Sequence, residues 1–223
     1  MGEFNRPLDN LPKTLKILIL GSNFNQPLNN LPGIENIDLI NERQKVRRKN
    51  LNENRKNEKQ IYNGLEKLQI YSRTFNQPVN NLPPTLKQFL IDGVDFNQPI
   101  NKLPFSVLLI DILSENFNQP LDNLPCRLKD LTIDSKLFNN STNYLPNTIT
   151  DLYILSKQFT QPFTTFPKQL TNLQINCPLI LQLSLTKLPP KLKILNTYEN
   201  QQLKNFIISM QYSIYVSGNL RIV

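Results

Sequence analysis

The chain has 223 residues, a formal charge of +8, 39% hydrophobic and 9% aromatic residues, two cysteines and no histidine. That apolar content excludes wholesale disorder, and the lack of histidine excludes Ser-His-Asp and Cys-His catalysis. The basicity is local: positions 41–60 hold eight Lys/Arg against three Glu, leaving +3 for everything else.

Taken in order, the chain repeats itself. A Phe-Asn pair stands at Phe4, Phe24, Phe75, Phe96, Phe117 and Phe138, with a Thr variant after Phe159. A Leu-Pro pair follows at Leu11, Leu31, Leu82, Leu103, Leu124, Leu145 and Leu188, with Phe166 standing in once. From Phe75 onward the step is 21 residues, a period that predicts a solenoid rather than a single globular core.

After each Leu-Pro pair comes an apolar residue, two variable ones, an apolar one, a variable one and an apolar one. Examples are Leu15-Leu18-Leu20, Ile34-Ile37-Leu39, Leu65-Leu68-Ile70, Leu86-Phe89-Ile91, Val107-Ile110-Ile112, Leu128-Leu131-Ile133, Ile149-Leu152-Ile154 and Leu170-Leu173-Ile175, and Leu192-Leu195 opens a last one. The final three positions alternate, as in a short strand with one buried face. One strand per coil, about nine in all, predicts a parallel sheet along one side of the stack. The return half of each coil carries two prolines, which lack the backbone donor a helix needs. Irregular, non-helical return segments are therefore expected, giving a leucine-rich-repeat-like, β-dominated solenoid.

Phe24, Phe75, Phe96, Phe117 and Phe138 are expected to stack as an inner spine. Asn25, Asn76, Asn97 and Asn118 sit where the backbone turns inward, and an amide supplies both donor and acceptor, so a structural ladder is predicted. The interval from Phe24 to Phe75, 51 positions, is read as one degenerate coil, with Asn54 in the Phe place and Ile61-Tyr62 in the Leu-Pro place. About nine extra residues, near 41–50, form a solvated basic insertion. Residues 1–198 are then one solenoid. Positions 199–223, where Ile208, Met210, Tyr212, Ile214 and Val216 alternate, form a capping strand or hairpin.

The recurring F-N-Q-P-L-x-N-L-P-x-x-L resembles the FNIP-repeat family, a relative of the leucine-rich repeats. Gln26, Gln77, Gln98, Gln119 and Gln161 stand in the family's Ile place. Members occur in social amoebae and in giant viruses that infect amoebae, often behind an F-box. The resemblance implies protein binding, including substrate capture for a ubiquitin ligase. No F-box-like stretch precedes Phe4, which sets the expectation toward a scaffold without that adaptor domain, or toward a truncated relic of an F-box/FNIP protein.

No cofactor or metal site is expected: Cys126 and Cys177 occupy different places in the repeat, and carboxylates do not cluster in sequence. The start lacks an apolar signal region and no apolar run reaches membrane-spanning length, so an intracellular, cytoplasmic monomer is expected. Binding is assigned to the outward strand positions, where Gln88, Asp92, Asp111, Asp130, Asp134, Asp151 and Tyr153 offer an acidic stripe to a Lys/Arg-bearing protein segment. Asp92, Asp111 and Asp130 are predicted on a diagonal, with Asp130 and Asp151 as direct neighbours. The rival site is Arg43, Lys45, Arg47, Arg48 and Lys49, for electrostatic tethering: nuclear import, an acidic membrane or phosphates. Nucleic acid is disfavoured because no aromatics interleave the cluster.

Overall fold

In the computed structural model, residues 4–33, 64–176 and 188–197 are described. Eight strands run in chain order: β1 Ile17–Leu20, β2 Lys67–Tyr71, β3 Gln88–Gly93, β4 Leu109–Ser114, β5 Asp130–Asp134, β6 Asp151–Leu155, β7 Asn172–Asn176 and β8 Ile194–Thr197. They form one parallel sheet whose spatial order is the sequence order, and the described residues contain no helix. Register stacks like on like: Leu68, Phe89, Ile110, Leu131 and Leu152 form one inward file, and Ile70, Ile91, Ile112, Ile133 and Ile154 the next. All ten are fully buried. Removing the apolar alternate of each strand from water is what holds the sheet against its return segments.

The phenylalanines form the expected spine. From Phe4 through Phe24, Phe75, Phe96, Phe117 and Phe138 to Phe159, successive rings stack with centroids 5.8–6.2 Å apart. The Leu-Pro pair makes a tight turn. The Leu86 N–H donates to the Pro83 carbonyl at 3.0 Å, and Leu15, Val107, Leu128, Ile149, Leu170 and Leu192 repeat the bond to their own prolines. Asn10, Asn30 and Asn123, each just before a Leu-Pro pair, take positive φ near 60°, a conformation asparagine tolerates better than most residues.

The asparagine ladder is present, and glutamine completes it. The Asn76 Oδ1 accepts from the Asn97 N–H and from Gln98 Nε2, both at 3.0 Å. Asn25 serves Asn76 and Gln77 in the same way, and Asn97 serves Asn118 and Gln119. The glutamine two residues after each Phe thus provides a second donor to the preceding coil. A hydroxyl ladder runs beside it: Ser114 donates to Val94 and Phe96 carbonyls, Ser135 to Glu115 and Phe117, and Ser156 to Lys136 and Phe138.

The reading of the 51-residue interval needs correction. β1 pairs directly with β2, Phe24 stacks on Phe75, and Asn25 bonds to Asn76. Nothing therefore lies between β1 and β2 in the sheet; Ile34-Ile37-Leu39, read as a strand, falls outside the described residues. One coil instead runs from Phe24 to Gly33 and resumes at Gly64, and the Leu65 N–H closes its turn onto the Pro32 carbonyl at 3.0 Å. Gly33 and Gly64 meet so closely that a Cβ on Gly64 would lie 2.9 Å from the Gly33 Cα. Gly33 has φ +98°, open to glycine alone without strain. The interval is the 21-residue coil plus a 30-residue insertion at positions 34–63, in place of the nine or so extra residues expected. Asn54, Ile61, Tyr62 and the basic stretch 41–50 fall outside the described residues, as does the expected cap at 199–223.

Candidate functional site

Each strand turns alternate side chains outward, and the parallel register sorts them into three files. The first runs Ile17, Lys67, Gln88, Leu109, Asp130, Asp151, Asn172 and Ile194, and the second Ile19, Gln69, Leu90, Asp111, Thr132, Tyr153, Gln174 and Asn196. The third runs Tyr71, Asp92, Leu113, Asp134, Leu155 and Asn176. Asp92, Asp111 and Asp130 therefore step one file over per strand, along the predicted diagonal. Asp130 lies directly opposite Asp151. Leucine occupies the squares between carboxylates: Leu109 beside Asp130, Leu90 beside Asp111, and Leu113 between Asp92 and Asp134.

Like charges opposite one another on adjacent strands repel. Burial first, then contact with Asp151 and the charge of Asp111, push the Asp130 carboxyl up to about 6, with Lys129 opposing. Asp151 is held by two donors, the Thr150 hydroxyl at 2.7 Å and the Asn172 amide, which leaves Asp130 as the partner that takes a proton. Burial also raises Asp134. The Tyr153 phenol is raised by burial and then by the charges of Asp151, Asp130 and Asp111. None of Asp92, Asp111, Asp130, Asp134 and Asp151 makes an ion pair among the described residues. The pairs that form, Lys16 and Lys87 with Glu66 and Lys136 with Glu115, lie at the two rims of the sheet.

At the C-terminal ends of the strands the third file borders an open hollow of about 550 Å³, lined by Tyr71, Arg73, Asp92, Leu113, Glu115, Asp134 and Lys136 among others. Tyr71 and Arg73 did not figure among the sequence-predicted site residues, although the outward rule that selected Gln88 and Asp92 applies equally to β2. Gln88 is exposed in the first file beside Lys67. The basic candidates Arg43, Lys45, Arg47, Arg48 and Lys49 lie outside the described residues. Among those described, no group of three or more His, Cys, Asp or Glu is placed to hold a metal ion. No helix among the described residues is long and apolar enough to cross a membrane. Asn139 and Asn140, which open glycosylation-like triplets, are both engaged in the ladder between coils.

A parallel sheet of in-register coils with an asparagine ladder and a phenylalanine spine defines a repeat solenoid. The family model described as FNIP Repeat matches residues 4–41, which include the anchors Phe4 and Phe24. No curated protein matches the chain.

Proposed function

We propose that this chain is a non-enzymatic protein-interaction scaffold whose partner lies across the outward face of the sheet. The observation that carries the reading is the in-register Asp130–Asp151 pair, held side by side on an outward face with no cation paired to it among the described residues. A partner bringing lysine or arginine removes that repulsion. The leucines between the carboxylates suit an extended segment whose sheet-facing side chains, every second residue, are basic and apolar by turns. The FNIP repeat and the solenoid fold fit such a scaffold. By family resemblance, a partner in a cytoplasmic ubiquitin-ligase assembly belongs to the same proposal.

The test is parallel affinity capture from cell lysate. The baits are the wild-type chain, a variant with Asp92, Asp111, Asp130 and Asp151 changed to Lys, and one lacking residues 43–49. Partners lost only with the first variant support the sheet face. Partners lost only with the deletion transfer the function to electrostatic tethering through the basic stretch.

A further inference from the structure

The return side of the stack carries a second hollow, of about 360 Å³, between the coils that start at Phe138 and Phe159. Its lining residues all come from the two return segments, and none belongs to a strand. At this level the repeat departs from its pattern. The place of Thr142 is filled by Ile100 and Leu121 in the two coils before, and the place of Asn147 by Phe105 and Cys126. Thr142 is shorter than the aliphatic side chains it replaces. It lines the hollow and is 1% exposed, with a hydroxyl that bonds to nothing. A buried hydroxyl without a partner is costly, and a group entering the hollow from outside can supply one.

The other polar side chains of the lining are also left as donors. The Asn143 Oδ1 accepts from the Thr164 N–H and the Asn147 Oδ1 from the Lys168 N–H, both at 3.2 Å. These bonds fix which end of each carboxamide is the oxygen. Among the described residues neither asparagine Nδ2 nor the Lys168 ammonium is bonded to an acceptor. The Thr165 hydroxyl is engaged with the Asn143 carbonyl at 2.9 Å. No carboxylate lines the hollow, so two amides, one ammonium and one hydroxyl face it with no anion of the chain to receive them. The rest of the wall is apolar: Leu145, Phe166 and Pro167, with the Phe166 ring stacked on Phe163 at 5.3 Å.

We propose that this hollow binds a small carboxylate with an apolar body. The carboxylate lies toward Thr142, Asn143, Asn147 and Lys168, whose donors match its two oxygens. The body covers Phe166 and Pro167. The volume is at the small end of ligand sites and suits an acid the size of benzoate. A bare inorganic anion leaves the apolar wall wet, and a neutral molecule leaves the ammonium without a counter-charge. The site uses no residue of the acidic sheet face and stands whether or not a protein docks there.

The test is titration of the isotope-labelled full chain with sodium benzoate at neutral pH, followed through its amide resonances. Inorganic phosphate and benzyl alcohol serve as comparison ligands. Saturable shifts centred on Thr142, Asn143, Asn147 and Lys168 are expected, with a Kd on the order of 1 mM for so few atoms. Lys168→Gln removes the charge and Thr142→Val removes the hydroxyl at constant shape. Each should weaken benzoate about fivefold with the rest of the spectrum unchanged, and phosphate and benzyl alcohol should bind the wild type more weakly by about the same factor. Shifts that fail to saturate or that centre elsewhere would overturn the proposal. So would phosphate or benzyl alcohol binding as well as benzoate, or unchanged benzoate affinity in either folded variant.

Discussion

The Leu65 N–H donates to the Pro32 carbonyl at 3.0 Å, making the turn that Leu86 makes with Pro83 in the next coil, although residues 34–63 intervene. The coil therefore closes on itself around the insertion. Joining Gly33 directly to Gly64 should leave the solenoid intact. Closing a 30-residue loop costs on the order of 3 kcal/mol of chain entropy, so the deletion should raise stability by up to that amount in urea unfolding. Loss of cooperative unfolding on deletion would show that positions 34–63 hold the first coils together.

The serine that recurs three residues before each Phe gives way to glycine at Gly21 and Gly93, and a Cβ on Gly93 would stand 2.2 Å from the Ser72 carbonyl oxygen. Gly93→Ala should cost about 1–3 kcal/mol through forced displacement of backbone, read as a lowered urea midpoint. The same method on Ser135→Ala, which loses bonds to the Glu115 and Phe117 carbonyls, should give about 1 kcal/mol.

Thr142 occupies the place that Leu28, Val79, Ile100 and Leu121 fill in other coils, and its buried hydroxyl has no partner. An unsatisfied buried hydroxyl is a net cost. Thr142→Val keeps the shape and should stabilise by about 1 kcal/mol in thermal or urea unfolding. An unchanged or lowered midpoint would mean that the hydroxyl is satisfied in solution.

Much of this architecture was legible in the sequence, because period two in the strands and period 21 in the coils leave the inward files no alternative residues. The acidic diagonal was legible for the same reason: once register is fixed by the buried Ile file, Asp130 must face Asp151. The interval was misread because Ile34-Ile37-Leu39, outside the described residues, follows the strand pattern and was counted as a coil between β1 and β2, which pair directly. A signal was present, since Leu31 stands three residues before Ile34, whereas Leu82 stands four before Leu86 and Leu103 four before Val107. Excising 34–63 restores four. The role of glutamine was not legible, since its acceptor is an atom of the preceding coil and only the folded stack brings the two together.

Asp130 makes stability depend on pH in a defined direction. Its carboxyl is raised in the folded chain from 3.8 to about 6, so the folded state holds the proton more tightly than the unfolded one. That contribution is fully present below about pH 4 and is lost as pH rises through 6. The group is only half-buried, and screening should keep the effect below about 1 kcal/mol. Asp130→Asn should flatten the urea midpoint between pH 4 and 7 relative to wild type. An equally steep profile in the variant would remove the like-charge pair as its source.

The most direct measurement of the binding face uses a labelled peptide repeating Lys-Lys-Leu-Leu, which sets lysine and leucine by turns on each face of an extended chain. Its affinity at pH 7.4 is followed by fluorescence polarisation with the wild-type chain and with the Asp111→Asn, Asp130→Asn, Asp151→Asn triple variant. All three positions lie on the outward face, so the substitutions leave the core untouched. Saturable binding to the wild type, weakened roughly tenfold or about 1.4 kcal/mol in the variant and further reduced by salt, is the predicted result. Equal affinity for the two proteins, or no binding by a folded wild type, would contradict a basic segment docking on the sheet.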